Sequence, residues 1–314
     1  MISMVVPTRN RAHTLRLVAP SYYEQDDVSE IVFVSDAGDD GTPDLIAGLA
    51  KAYPTVRTRF VRNPTRLGAS QSRNVGVGLA DNDYILFCDD DEYLEPGYAR
   101  TCLAKLQALD AAAVSGRRIY MVDGETQAAA LQRFGNGLRH GKPFRRIICE
   151  YVNSAIYEGD IELPFTNAII LTRTALVKRF PFDGYYAVGN GYREETDYQM
   201  NLFVNGYRIF ATNDCHSLHL SPSKVRTGGQ RTRPLLRIYW AVFFTRYLFV
   251  KYYAAYARRM DIATPTWGAL ALFTLYVIYR DFLLAPLYGL WLPLLLRFRG
   301  RGRPVLAAGT PPPS

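Results

Sequence analysis

The chain has 314 residues, 48% of them hydrophobic and 21% charged. That balance excludes a wholly disordered chain and leaves room for one large α/β domain with an appendage. The formal charge of +8 suits phosphates, nucleic acid or an anionic membrane, and its basic residues crowd the last third, notably Arg297, Arg299, Arg301 and Arg303.

Read in chain order, Met1 to Val6 is a short apolar run that ends at Pro7. Thr8 to Asn10 forms a polar turn, and a helix-like stretch follows to about Tyr23. Ile31 to Val34 reads as a buried strand, closed by the turn-rich Ser35 to Thr42. Asp44 to Tyr53 has helical periodicity, Thr58 to Val61 reads as a strand, Ala69 to Leu79 as a helix and Tyr84 to Cys88 as a buried strand. Alternation of this kind predicts a mostly parallel sheet with helices on both faces, whose ligands bind at the carboxyl ends of the strands. Further on, Val114 to Tyr120 and Ala168 to Leu171 are strand candidates, flanking an irregular basic stretch around Arg133 to Arg146. Tyr192 to Asn205 reads as a helix with acids near its start, followed by a short strand at Ile209 to Ala211.

Cys88, Cys102, Cys149 and Cys215 include no CxxC pair, so neither a zinc cluster nor a disulfide scaffold is expected. They read as reduced thiols in a cytosolic setting. The chain opens directly on a strand-like run, so no signal peptide is expected.

Asp89-Asp90-Asp91-Glu92 follows directly on a buried strand. Four acids in a row repel one another, and carboxylates at 89 and 91 can share a hard divalent cation with nucleotide phosphates. The alternative is a solvated acidic turn or a helix cap.

The sequence resembles glycosyltransferase family 2 in four places taken together. Val5-Val6-Pro7-Thr8-Arg9-Asn10-Arg11 is similar to that family's opening strand and loop, and Val34 to Thr42 to its second nucleotide-binding loop. Asn63 to Asn74 is similar to the segment before the metal motif, and Asp89-Asp90-Asp91 fits Asp-x-Asp. The resemblance covers about residues 1 to 220. It implies a GT-A, Rossmann-like α/β fold, a nucleotide-diphosphate sugar as donor, inversion at the anomeric carbon, and Mn2+ or Mg2+ as cofactor. Pro7, Thr8 and Arg9 would border the nucleotide, Asp36 would accept a hydrogen bond from the base, and Arg73 would lie near base or phosphates. Asp89 and Asp90 would face the nucleotide sugar. Asp91 would bind the metal directly, with Asp89 and His219 beside it. The family often carries two acids where this chain has Ser35-Asp36.

Gly191 to Asp197 opens the later helix. Acids in a first helical turn are favoured by the macrodipole alone. The stretch is also similar to the family's Glu-Asp motif, with Glu195 at the base position and Glu194 and Asp197 as acceptor-side or structural groups. A carboxylate within reach can take the proton of an attacking hydroxyl. In Cys215-His216-Ser217-Leu218-His219, read as following the short strand, His219 is preferred over His216 as the metal-side histidine. Thr166-Asn167 and Phe182-Asp183-Gly184 resemble acceptor-side segments, with simple turn formation as the alternative. Gln230 to Pro234 resembles the Gln-x-x-Arg-Trp motif of processive synthases, but proline replaces tryptophan, so single addition is expected.

Trp267 to Tyr279 and Phe282 to Leu296 are apolar, interrupted by Arg280-Asp281. Neither reaches the roughly 20 residues a spanning helix needs. Interfacial or re-entrant helices on the cytoplasmic face of the cell membrane are expected, peripheral or monotopic, with one broken span as the rival. Ile238 to Tyr256 reads equally as a helix packed on the catalytic domain or as a membrane-surface helix. The expected division is a GT-A catalytic domain over 1–225, membrane-associated helices over 226–306 and a disordered tail over 307–314.

The expected partners are a nucleotide-diphospho-sugar (UDP-sugar first), a glycan or lipid-linked acceptor and a membrane surface. Nucleic acid is not expected, because the basic residues lie beside long apolar runs instead of a polar face. A dinucleotide oxidoreductase is disfavoured, since no GxGxxG follows the first strand. A non-catalytic sugar-nucleotide-binding or membrane scaffold is the remaining alternative.

Overall fold

The computed structural model describes residues 1–135, 143–152, 157, 159–225 and 233–284. Strands β1 (Ile2–Thr8), β2 (Val28–Ser35), β3 (Arg57–Arg62) and β4 (Tyr84–Phe87) alternate with helices α1 (Ala12–Val18), α2 (Pro20–Tyr23), α3 (Thr42–Ala52) and α4 (Gly68–Leu79). Then come β5 (Glu92–Leu94), α5 (Tyr98–Ala108), β6 (Ala113–Tyr120), α6 (Gln127–Gly135) and a small hairpin, β7 (Phe144–Arg145) with β8 (Glu150–Tyr151). They are followed by β9 (Asp160–Glu162), β10 (Ile170–Arg173), α7 (Thr174–Arg179), α8 (Glu194–Val204) and β11 (Ile209–His219). Two helices end the described chain, α9 (Pro234–Arg259) and α10 (Thr266–Ile278), with a π-helical turn at Tyr279–Leu284.

The sheet runs β3-β2-β1-β4-β10-β6-β11-β5, with β9 beside β11. The expectation of a mostly parallel sheet needs correction. β1, β2, β3 and β4 pair in parallel, as do β6 and β11. β10 is antiparallel to both β4 and β6, and β5 and β9 are antiparallel to β11. The sheet is mixed because strand–helix alternation, the basis of the parallel reading, stops at β4. Neither the brief β5 nor the helix α5 was expected from the sequence.

Side chains on a strand alternate faces. All seven residues of β1 are buried, as expected for a strand covered on both sides. Met4 and Val6 enter a core with Leu15 of α1, Tyr22 of α2 and Cys102 of α5. Val5 enters the opposite core with Val77 of α4, Leu202 of α8 and Phe249 of α9. Gly76 lets α4 come this close, since a Cβ there would lie 2.4 Å from Val5 Cγ1.

Ile238 to Tyr256 lies within α9, and one face of that helix packs on the rest of the protein. Phe244, Leu248, Phe249, Tyr253 and Tyr256 are buried at helical spacing. Each such side chain contributes roughly 2 kcal/mol of burial. Polar contacts pin the same face. Lys251 Nζ reaches Asp183 at 2.7 Å and Asp197 at 2.8 Å, and Tyr253 donates to Ile147 O at 3.0 Å. Among the described residues no helix is long and apolar enough to cross a membrane. Residues 230–232 of the synthase-like motif, the apolar stretch past 284, the arginines at 297–303 and the tail at 307–314 lie outside the described residues.

Candidate active site

The carboxyl ends of β1, β2 and β4 point the same way, and the loops after them open on a cavity of about 1130 Å3. Pro7 and Thr8 end β1 and Arg9 follows in an exposed turn, and all three line the cavity. Asp36, just past β2, lines it as well. Its carboxylate accepts from Asn63 Nδ2 at 3.1 Å and from the backbone N–H groups of Leu67 and Gly68 at 2.6 and 3.0 Å. Asp36 therefore anchors the entry to α4. Gly68 has φ +80°, and a Cβ there would lie 2.6 Å from Ala187 Cα, so this turn and the loop before α8 meet backbone to backbone.

Asp89 to Asp91 turn off the end of β4, and arginines meet them. Asp89 accepts from Arg73 Nη2 and Arg118 Nη2, both at 2.9 Å. Arg118 also forks onto Glu92. Arg11 Nη1 lies 2.7 Å from Asp91 Oδ2 and 3.1 Å from Asp90 Oδ1. Arg73, buried on α4, continues to Glu194 at the start of α8. A chain of ion pairs thus links the acidic turn to the helix that carries Glu195.

In these ion pairs three guanidiniums, Arg11, Arg73 and Arg118, meet five carboxyl groups, Asp89, Asp90, Asp91, Glu92 and Glu194. The shortfall of positive charge shows in the acidities. Burial pushes Asp90 up to about 7 against the pull of Arg11, with Asp91 adding to the rise. Burial likewise raises Glu92 to about 7 against Arg118, and Glu194 to about 7 against Arg73 with Glu195 adding. Asp89 goes the other way. There Arg118 and Arg73 outweigh burial and hold the group below its ordinary value. Burial thus favours the protonated form of Asp90, Glu92 and Glu194.

His216 and His219 lie within β11, which is longer than the short strand expected. The two differ. His216 Nδ1 is engaged by Glu95 at 2.8 Å, on β11's pairing with the β5 end. His219 lines the cavity, with Nδ1 2.7 Å from Leu220 O and Nε2 3.6 Å from Asp91 Oδ1. Burial and Arg118 lower the His219 pKa against the pull of Asp91, which favours the neutral ring. Nδ1–H then donates to the carbonyl, and the Nε2 lone pair faces a carboxylate oxygen. Two opposed acceptors at that spacing fit a cation between them, and a ring fixed by a backbone carbonyl is the usual support of a metal-bound histidine. Among the described residues no three His, Cys, Asp or Glu groups converge as a metal cage. Of the expected trio, Asp91 and His219 face each other across this gap, and both oxygens of Asp89 accept from Arg73 and Arg118.

Glu195 is half-buried on the cavity wall, and no hydrogen bond to a described residue occupies its carboxylate. Glu194 is buried against Arg73. Asp197 does not line the cavity. It lies beneath α8, bound by Lys251, Tyr186 and Tyr252. Thr166 and Asn167 line the cavity, while Asp183 caps a 3-10 turn and pairs with Lys251.

Arg118, Arg193 and Arg280, which also line the cavity, were given no role from the sequence. Arg118 carried a signal that went unused, since Arg117-Arg118 is a charged pair inside a buried strand. A separate recess of about 590 Å3 lies where α9 turns into α10, and no expected site residue lines it.

The family model described as "Glycosyl transferase family 2" matches residues 3–183. The succinoglycan biosynthesis protein ExoO of Rhizobium meliloti is 30% identical over 127 residues, 40% of this chain and 35% of ExoO. A GalNAc(5)-diNAcBac-PP-undecaprenol beta-1,3-glucosyltransferase of Campylobacter jejuni is 29% identical over 105 residues, 33% of this chain and 34% of that protein. The chain thus matches about a third of the length of these relatives. Among solved structures, S. aureus TarS 1-349 in complex with UDP superposes with a TM-score of 0.56 at 17% identity, covering 94% of this chain and 78% of TarS 1-349. The complex with UDP-GlcNAc gives 0.57 at 17%, covering 88% and 72%. At that identity the likeness shows the fold, an α/β GT-A-like architecture.

Proposed function

Because the chain belongs to glycosyltransferase family 2, we propose that it moves a sugar from a nucleotide-diphosphate sugar to an acceptor hydroxyl, with inversion, using Glu195 as base. The observation that carries this reading is the arrangement of one cavity. Asp91 and His219 sit at its donor end, an unoccupied carboxylate on Glu195 lines the same wall, and Arg73 ties the two parts together. The solved neighbours in complex with UDP and UDP-GlcNAc support a uridine donor. The polyprenol-linked glucosyltransferase among the relatives supports a lipid-linked glycan precursor as acceptor.

In this reading Pro7, Thr8 and Arg9 border the nucleotide. Asp36 shapes the base pocket by fixing the entry to α4, and its remaining acceptor capacity faces the base. Asp91 and His219 would hold a divalent cation, Mn2+ or Mg2+, which when bound supplies positive charge beside the diphosphate. Asp89 does not compete for it. It orients Arg73 and Arg118. Glu195 takes the proton of the acceptor hydroxyl as the oxygen attacks the anomeric carbon. The bond from that carbon to the diphosphate oxygen breaks, and the nucleoside diphosphate leaves with the electron pair. Glu194, neutralised by Arg73, keeps α8 in place.

The outer face of α10 and the turn after it expose Trp267, Leu275, Tyr279 and Phe282. An apolar row of this kind supports a peripheral position on a membrane surface. Flotation with liposomes tests it: the wild type should float, and a Leu275→Ser/Phe282→Ser variant should stay in the soluble fraction.

The test of the chemistry is glycosyl transfer by membranes or lipid extract supplied with UDP-sugars. Glu195→Gln should lower kcat by about 10²- to 10⁴-fold with the donor KM nearly unchanged. Full activity in that variant would remove Glu195 from the mechanism.

A further inference from the structure

The cavity extends beyond the acidic turn and its arginines. An arm of the cavity beside α9 and α10 is lined by Glu150, Tyr151, Phe165, Tyr192, Arg193 and Arg280. Arg193 and Arg280 line this arm and Arg145 and Arg237 join it through ion pairs, against Glu150, Asp281 and the nearby Glu195, while Glu194 is taken up by Arg73. Arg237 and Arg280 share Asp281, and Arg280 and Arg145 share Glu150. Arg193 has no acidic partner among the described residues.

Arg193 is an unusual residue for its place. It precedes α8 at φ +73°, a conformation that strains any side chain with a Cβ. Its guanidinium is almost wholly buried. Nε donates to Thr245 Oγ1 at 2.9 Å and Nη1 to Cys149 O at 2.8 Å, with Phe273 5.0 Å below. Nη2 has no partner. A buried donor left unmet is costly, and a small rotation that brought it to the cavity wall would let a ligand oxygen satisfy it. The residue stands one and two positions before Glu194 and Glu195, so a group bound to it lies next to the sugar that receives the transfer. Past the arm, the exposed row of Leu275, Ile278, Tyr279 and Phe282 continues outward.

We propose that this arm binds a phosphate ester carried by the acceptor, immediately behind the accepting sugar, with Arg193 and Arg280 as its guanidinium ligands. The inference rests on the transferase reading, since it takes Glu195 to mark the accepting hydroxyl. Guanidiniums match phosphate oxygens with paired N–H donors, and the surplus positive charge of the arm complements the anion. The phosphate has two possible sources, the diphosphate of a lipid-linked saccharide or the phosphodiester of a water-soluble polymer.

The test uses the full chain saturated with UDP and Mn2+, so that phosphate probes are kept out of the donor end. Geranyl diphosphate, glycerol phosphate and octyl glucoside are then titrated calorimetrically. Both phosphates should bind, and Arg280→Gln should weaken each at least tenfold without changing octyl glucoside. Arg193→Gln should do the same or more. It can also disturb folding, which makes the half-exposed Arg280 the cleaner site. Tighter binding of geranyl diphosphate than of glycerol phosphate points to a lipid source, and the reverse to a polymer. The proposal is overturned if the phosphates bind no better than octyl glucoside, or if Arg280→Gln binds them like wild type. Absence of UDP binding in the first titration would strike the transferase reading instead, while the Arg280→Gln comparison still decides the arm.

Discussion

Replacing Lys251 with methionine keeps the length of the side chain and removes the cation that ties α9 to α8. In the wild type its Nζ lies 2.7 Å from Asp183 Oδ2 and 2.9 and 2.8 Å from the two oxygens of Asp197. Asp197 is buried, so the variant leaves a carboxylate in the core without its counter-charge. Breaking a buried pair from one side costs about 3–5 kcal/mol. Lys251 and Asp183 are each about a quarter exposed, and the hydroxyls of Tyr186 and Tyr252 still donate to Asp197. Those two facts reduce the expectation to roughly 2–3 kcal/mol. In a chain of this size that is a fall in Tm of about 4–6 °C. Calorimetric melts of Lys251→Met, Asp197→Asn and the double variant measure the pair directly. The double variant should be more stable than the sum of the single losses implies, because no orphaned charge remains. Additive losses, or a fall below about 1 °C in Lys251→Met, would refute the claim that this network fastens α9 to the catalytic core.

Three further outcomes follow from the same geometry. Gly68→Ala should cost about 1–3 kcal/mol, since φ is +80° and the new Cβ meets Ala187 backbone, whereas Gly78→Ala in the open middle of α4 should add up to about 1 kcal/mol; urea melts separate the two. Burial raises Asp183, but Lys251 and the N–H of Tyr185 outweigh it and hold the folded pKa below the unfolded value near 3.8. The stability it contributes is present above the unfolded pKa and lost as pH falls through the folded one, so Asp183→Asn should flatten the stability curve below about pH 4. His219→Ala should abolish Mn2+-dependent strengthening of UDP binding while the fold, read by far-UV circular dichroism, stays intact.

The half of the fold that holds the donor was legible because its signals are local. Strand and helix alternate up to β4, and polar loops follow each buried strand, so Pro7, Asp36 and Asp89 could be placed at one sheet edge from order alone. The mixed pairing of β10, β6 and β11 was not legible, since it depends on contacts far apart in the chain. The same holds for the charge partners. The partners of Asp89 are hidden in the sequence because Arg73 and Arg118 are 16 and 29 residues away, and only folding brings both onto its oxygens. Glu195 and Asp197 look alike as acids of one helical turn. They separate in space because residues two apart face different sides of a helix, one to the cavity and one to Lys251. Arg193 left no trace in the pattern, since its importance lies in a positive φ and an unmet donor.

The most direct measurement of the central claim is a calorimetric titration of UDP into the protein with and without Mn2+, repeated with Asp91→Ala and Glu195→Gln. The account predicts UDP binding that Mn2+ strengthens, loses that dependence in Asp91→Ala and keeps it in Glu195→Gln. UDP binding that ignores both Mn2+ and Asp91, or no UDP binding by folded protein, would contradict it.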